Sequence, residues 1–238
     1  MKKVLITGAN KSIGLEIVKQ MLDLGYYVYL GSRDLQKGEE AAEKLKSANV
    51  EVIQIDVIDP ASISAARNKI DALDVLINNA GISGGFPQMP STYDTENIRQ
   101  VFETNFFGTI NVTLAFFDIL KKSEAPRIVN VTSGLGSATL HTDPSWKYYE
   151  IKSAAYGPSK TALNAYTIVL AYELKDTAFK VNAVDPGYTA TDFNQHRGTG
   201  TVPDAAARIV KYATIGEDGP TGGFFSDDNN PETGVSPW

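Results

Sequence analysis

Val4-Leu5-Ile6-Thr7-Gly8-Ala9-Asn10-Lys11-Ser12-Ile13-Gly14, near the start of the chain, is a short apolar run that breaks into a small-residue turn and then enters an amphipathic pattern. Apolar residues at consecutive positions, with no polar alternation, suit a strand covered on both faces. Glycines at 8 and 14 suit a tight strand-to-helix turn whose backbone N–H groups and positive helix end face a phosphate. Gly8, Asn10, Lys11, Ser12, Ile13 and Gly14 are the residues of that candidate cradle, although such a turn also occurs without a ligand. Lys2 and Lys3 before an apolar run have the flavour of a targeting leader, but Thr7-Gly8 ends the run long before a signal-peptide core is reached.

Working outward, similar apolar runs recur at Tyr27-Leu30, Val52-Ile55, Val75-Ile77, Ile128-Val131 and Val181-Val184. Helical patterns separate them, near 13–24, 35–48, 61–70, 95–121, 154–175 and 203–213, with Asp34 and Pro60 marking two starts. This βαβ alternation predicts an α/β fold: a Rossmann-type, doubly wound parallel sheet with helices on both faces. One domain over residues 1–238 is expected, because nothing resembles a linker, a repeat or a long charge run. In such a sheet ligands bind outside the carboxyl ends of the strands, so chemistry is sought just after each strand.

Composition removes several functions. A net charge of -6 disfavours a nucleic-acid partner, which needs a basic surface. With no cysteine and only His141 and His196, no metal site is expected and disulfides are impossible. Redox work would therefore belong to an organic cofactor. No stretch reaches the roughly 18 apolar residues of a membrane span, so no membrane partner and a cytoplasmic protein are expected.

Beyond the second strand stand Ser32 and Arg33, where an acidic residue would have accepted the ribose hydroxyls of NAD and an arginine instead clamps a 2′-phosphate. NADP(H) is the predicted cofactor. Lys11 could add charge near that phosphate, and Asp34 reads as a helix N-cap rather than a ribose ligand. Tyrosine is a poor proton relay near neutral pH unless a cation stabilises its phenolate, which a lysine one turn away can do. Tyr156 and Lys160 have that i, i+4 spacing, but so do Tyr148 and Lys152, and with 11 tyrosines the spacing alone is weak.

The motifs taken together resemble the short-chain dehydrogenase/reductase family over essentially residues 4 to 230. Thr7-Gly8-Ala9-Asn10-Lys11-Ser12-Ile13-Gly14 resembles its T-G-x-x-x-G-x-G turn, with Ser12 in place of the middle glycine, a change that removes the freedom of a positive φ. Asn78-Asn79-Ala80-Gly81 matches its N-N-A-G segment, and Tyr156-Gly157-Pro158-Ser159-Lys160 its active-site helix, followed at the expected interval by Pro186-Gly187. Tyr148-Tyr149-Glu150-Ile151-Lys152 does not match. Pro158 is expected in the first helical turn or at a kink.

The resemblance implies Tyr156 as proton donor, Lys160 as its supporting cation, Ser133 as the donor to the substrate oxygen, and Asn105 as a support for Lys160 through a water. Ser137 is a more distant rival to Ser133. It also implies adenine contacts from Asp56 and Val57, passage of the cofactor by Asn79, Ala80 and Gly81, and nicotinamide contacts from Pro186, Gly187, Thr189 and Thr191. The implied activity is NADPH-dependent reduction of ketone, aldehyde or quinone carbonyls to alcohols, reversible. Alternatives are an alcohol dehydrogenase working oxidatively and a non-catalytic dinucleotide sensor. An extended-type epimerase and an acyl-carrier ketoreductase are disfavoured by the short carboxyl-terminal region and the lack of a basic docking patch.

The long interval between Ser133 and Tyr156, with Thr7-Lys11 and Gly222-Phe225, resembles the carbonyl-reductase branch. It predicts a substrate-side insertion at about 134–152 carrying His141, Trp146, Tyr148 and Tyr149, which with Tyr188 and Phe193 would line an apolar pocket or else cap the core. Monomer, homodimer and homotetramer stay open.

Overall fold

Strand β1 (Lys3–Ile6) shows why the sheet is apolar at consecutive positions. In this computed structural model, which describes residues 1–238, Val4 and Ile6 belong to one apolar cluster and Leu5 to another, and all three are fully shielded. Successive side chains of a strand point to opposite faces, so a sheet covered on both sides needs no polar alternation. The split repeats in β2 (Tyr27–Ser32), with Val28 and Leu30 against Tyr29, and in β4 (Val75–Asn78), with Val75 and Ile77 against Leu76. Each such residue removed from water contributes about 1.5–3 kcal/mol.

With β3 (Val50–Gln54), β5 (Arg127–Val131), β6 (Lys180–Val184) and β7 (Phe224–Phe225), the strands form one parallel sheet in the order β3-β2-β1-β4-β5-β6-β7. Val4 lies opposite Val28 on one side and Val75 on the other. The order reverses between β1 and β4, so the crevice for a ligand opens there. Helices α1 (Ser12–Asp23), α2 (Leu35–Leu45) and α7 (Val202–Ala213) bring Ile17, Val18, Met21, Ala41 and Ile209 to one cluster. Helices α3 (Pro60–Arg67), α5 (Gly108–Leu120) and α6 (Tyr156–Glu173) bring Ile63, Phe116, Ile119 and Leu170 to the other. The expected doubly wound α/β architecture is what the chain adopts, and no helix is long and apolar enough to cross a membrane.

Three details differ from expectation. The helix expected over 95–121 is α4 (Thr95–Phe102), then a π-helical turn at Glu103–Phe107, then α5. Strand β7 adds a seventh strand, pairing Phe224 with Ala183 and Phe225 with Val184. Ser12 takes the positive φ that serine was expected to forgo, at +52°, a conformation that costs on the order of 1–2 kcal/mol outside glycine.

Candidate active site

The turn after β1 is built by close approach. Gly8 has φ +64°, and a Cβ there would stand 2.9 Å from Ala80 Cα, while one on Gly14 would run into the Gly8 carbonyl oxygen. Asn79 locks the turn from the β4 side, donating from Nδ2 to Thr7 O at 2.9 Å and Gly8 O at 3.1 Å. The Thr7 hydroxyl accepts from the Asn79 and Ala80 N–H groups, each at 3.0 Å. Helix α1 starts after Lys11 with no side chain capping it, so its first N–H groups face the crevice with Asn10, Ser12 and Ile13 beside them. Deeper in, Asn78 donates to Thr113 Oγ1 at 3.0 Å and Asn130 Oδ1 at 2.9 Å, which ties β4, α5 and β5 together below the site.

At the outer corner, Arg33 is exposed and makes no ion pair; it lines a depression of about 370 Å³ with Gln54, Asp56, Asp59, Ser62 and Lys69. Ser32 Oγ donates to Asp34 O at 2.7 Å, and the Asp34 carboxylate accepts from Lys37 N at 3.1 Å, the expected N-cap. Asp56 holds its own turn, accepting from Ile58 N at 3.2 Å, and Val57 packs on Gly108 of α5. Lys11 is not at this corner: its Nζ reaches Asp192 Oδ2 at 3.3 Å, on the segment after β6.

Tyr156 is the first residue of α6 and is half-buried, with Phe193 packed on its ring at 5.4 Å between centroids. Pro158 falls in the first turn, where its missing N–H costs nothing. One turn on, Lys160 is buried, with Nζ 5.9 Å from the Tyr156 ring centroid and donating to Val131 O at 2.9 Å. Ser133, two residues beyond the end of β5, lies near the Tyr156 phenol, and its hydroxyl accepts from Leu135 N at 3.2 Å. Its rival Ser137 is fully buried and turned to the chain end, donating to Trp238 O at 3.3 Å and accepting from Leu140 N at 3.1 Å.

Asn105 sits in the π-helical turn. Its amide accepts from Ile82 N at 2.8 Å and donates to Ile82 O at 2.9 Å and Ser159 Oγ at 3.0 Å. A Cβ on Gly81 would lie 3.2 Å from Asn105 Oδ1 and 3.6 Å from Lys160 Nζ, so these three residues meet at one point. π-turns commonly mark such sites, because the extra residue re-aims a side chain.

Burial pushes the Tyr156 phenol well above the usual tyrosine value; the Ser133 hydrogen bond opposes this, and Asp185 adds to it. Burial brings Lys160 down to about 8, against the pull of Asp185. Asp185, missed in the sequence, ends the β6 run and is 4% exposed. Its carboxyl is raised by burial, although it accepts from Ser226 Oγ at 2.6 Å and Gly187 N at 2.9 Å. The one available signal was its place directly before Pro186-Gly187 at a strand end. Arg208 donates to Pro186 O at 2.6 Å, Thr189 Oγ1 donates back to Gly187 O at 3.2 Å, and Thr191 N donates to Asn194 Oδ1 at 3.2 Å, so this loop is held from within.

The segment 134–152 is a succession of turns and two short 3-10 pieces, and it packs on the tail rather than forming a helix. Trp146 is buried and donates to Asn229 Oδ1 at 3.2 Å; Tyr148 donates to Asp228 Oδ2 at 2.8 Å. Lys152 turns to His141 O at 2.9 Å. Of the aromatic residues expected at a pocket or as a cap on the core, Trp146 and Tyr148 pack on the chain's tail and on each other, and neither belongs to the two core clusters.

A family profile described as short chain dehydrogenase matches residues 2–201. The (+)-neomenthol dehydrogenase of Capsicum annuum is 33% identical over 93% of this chain and 94% of its own length. Among solved structures, salutaridine reductase from Papaver somniferum superposes with a TM-score of 0.81 at 32% identity, covering 95% of this chain and 100% of that one. An NADPH-bound carbonyl reductase from chicken fatty liver gives 0.85 at 26% identity, covering 100% and 99%.

Proposed function

We propose, from the premise that the chain belongs to the short-chain dehydrogenase/reductase family, that it is an oxidoreductase reducing ketone and aldehyde carbonyls to alcohols with NADP(H), and that Tyr156 donates the proton. The residues fit the dinucleotide. Gly8 and Gly14 leave no room for a Cβ against Ala80 and the Gly8 carbonyl, so the turn closes tightly with its backbone bare; α1 offers uncapped N–H groups, and Arg33 lines the depression at the far corner. Gly8, Asn10, Lys11, Ser12, Ile13 and Gly14 would hold the pyrophosphate, Ser32 and Arg33 the 2′-phosphate, and Asp56 and Val57 the adenine. Asn79, Ala80 and Gly81 would flank the ribose, and Pro186, Gly187, Thr189 and Thr191 the nicotinamide end. When bound, the nicotinamide supplies the hydride that reaches the carbonyl carbon.

The protein's own work is on the oxygen. Ser133 and Tyr156 donate to it, and Tyr156 is in the right state to do so, because burial keeps its phenol protonated at neutral pH. Lys160, cationic below about 8, stabilises the phenolate left behind. Asn105 fixes Ile82 and Ser159 around this pair. The same residues run in reverse for alcohol oxidation, and a quinone carbonyl presents the same acceptor oxygen. Segment 134–152 serves as a substrate-side wall, since it begins beside Ser133 and brings His141 Nε2 within 3.6 Å of a Cβ position on Gly157.

The observation that carries the reading is the half-buried Tyr156 phenol with Ser133 in reach and buried Lys160 beneath it. Consumption of NADPH and, separately, NADH against ketones, aldehydes and quinones tests it; binding of NADPH with no turnover on any of them would sink the reductase. Arg33→Asp should raise KM for NADPH about 10- to 100-fold, the effect of losing a charge-assisted bond of roughly 1.5–3 kcal/mol, with little change for NADH. Equal effects on both would remove Arg33 from the 2′-phosphate.

A further inference from the structure

Helix α6 carries Tyr156 at its first position yet has no capping side chain of its own, because residue 155 is an alanine. An α-helix leaves its first N–H groups without intrahelical partners, and these must be satisfied elsewhere. Here the first turn can be accounted for in full. Gly157 N donates to Ser153 Oγ at 2.8 Å, Pro158 has no N–H, and Ser159 N donates to Ala155 O at 2.9 Å. The N–H groups of Ala155 and of Tyr156 itself both donate to one atom, Gln88 Oε1, each at 3.1 Å.

Gln88 comes from the loop after β4 and is 1% exposed. Its amide nitrogen donates to Ser83 O and Gly85 O, both at 2.6 Å, and its own carbonyl accepts from Ala154 N at 3.0 Å. Two N–H groups on one side and two carbonyls on the other fix which end of the amide is oxygen. No other side chain of this length offers an acceptor at one end and two donors at the same end of the chain. Glutamate would set an oxygen against two carbonyls, and methionine would orphan all four backbone groups. The loop is also bolted to α6 at its other end, through Ile82, Asn105 and Ser159. Between the two bolts it exposes Phe86, and just past Gln88 it exposes Met89.

We infer that Gln88 is a positioning residue for the reaction: it caps the active-site helix from a remote loop and so fixes where the Tyr156 phenol stands relative to Ser133. This rests on the reading of Tyr156 as proton donor. It follows that the loop 82–89 and the proton donor move as one body, so that a substrate pressing on Phe86 or Met89 acts on the helix start.

The test is Gln88→Met, which keeps the volume, and Gln88→Asn, which keeps the amide but loses its reach and carries the test alone if the first variant does not fold. The backbone bond to Ala154 survives in both. Expected is a kcat lower by about 10- to 100-fold, as for a displacement of order 1 Å at a reacting group. NADPH affinity, followed by its fluorescence, should stay within about twofold, and the solvent deuterium isotope effect on kcat should rise as proton transfer slows. Wild-type kcat, an unchanged isotope effect, or loss of NADPH affinity in step with kcat would each overturn it. Tyr156→Phe is measured alongside: its inactivity beside a fully active Gln88→Met sinks only the positioning role, whereas full activity of Tyr156→Phe sinks the donor assignment beneath it.

Discussion

Tyr156 with Lys160 and Tyr148 with Lys152 share one spacing, lie eight positions apart, and end in opposite physical situations. The first pair is on a helix, so four residues return to the same face and the buried Lys160 ammonium sits under the phenol ring. The second is on a chain of turns, where the same interval carries no fixed direction. Tyr148 points to Asp228, and Lys152 goes to His141 and lies over the Tyr149 ring at 4.1 Å. The environments differ as well. Burial raises both phenols; the Asp228 carboxylate raises Tyr148 further, whereas at Tyr156 the Ser133 hydroxyl opposes the rise and a buried ammonium stands ready for the phenolate that proton transfer leaves. A residue pair is thus chemistry only when the backbone returns both groups to one place and the local charge favours the product of transfer.

The contrast is broken most directly by removing each phenol oxygen in turn. Tyr156→Phe should lower kcat by about 10² to 10⁴ while leaving NADPH binding nearly intact, the usual worth of a general acid. If instead Tyr148→Phe abolished turnover and Tyr156→Phe did not, the two pairs would have been assigned the wrong way round.

A smaller effect should appear in the pH profile. Burial lowers the folded pKa of Lys160 to about 8, so the ammonium is present below that value and lost as pH rises through it. Carbonyl reduction should accordingly fall by about tenfold per pH unit above 8, and Lys160→Met should be slow at every pH with this limb missing. A wild-type profile flat up to pH 10 would remove Lys160 from the proton path. Lys152→Met should leave the profile as it is.

Much of the frame behind this contrast is legible in the residues. Val4-Ile6, Val75-Ile77 and Ile128-Val131 announce buried strands because both faces are covered, and Asp34 announces α2 through its cap. What escapes has physical reasons. Strand β7 is only Phe224 and Phe225, too short for any period to show. The π-turn at Asn105 keeps the apolar pattern of the flanking helices, so nothing in the side chains signals one extra residue per turn. Ser12 adopts a positive φ that its own chemistry disfavours, in a turn held by Asn79 and Ala80 from the segment after β4. Gln88 reaches partners 67 and 68 positions away, a relation that exists only once the loop has folded back.

The smallest effect on turnover, and the sharpest test of the contrast, is expected from Tyr148→Phe. Its hydroxyl is half-shielded and donates to Asp228, which also takes Lys147 Nζ at 2.7 Å and Tyr188 N at 3.3 Å. Burial raises the Asp228 carboxyl, but the Lys147 and Tyr148 hydrogen bonds outweigh it and hold the group below its ordinary value. Removing the Tyr148 hydroxyl leaves the other partners in place, so kcat should stay within a few-fold of wild type. Stability should fall by about 1.5–3 kcal/mol, the range for a bond to a charged acceptor. A carboxyl with a depressed folded pKa stabilises the fold above its unfolded pKa, and that stabilisation is lost as pH falls through the folded value. The gap in denaturation midpoint between Tyr148→Phe and wild type should therefore be widest near neutral pH and close as the solution is acidified. A gap that stayed constant into acid would mean that the hydroxyl does not act through the charge of Asp228, and no gap at all would leave the ring's packing against Trp146 and Tyr188, which phenylalanine keeps, as what this second tyrosine contributes.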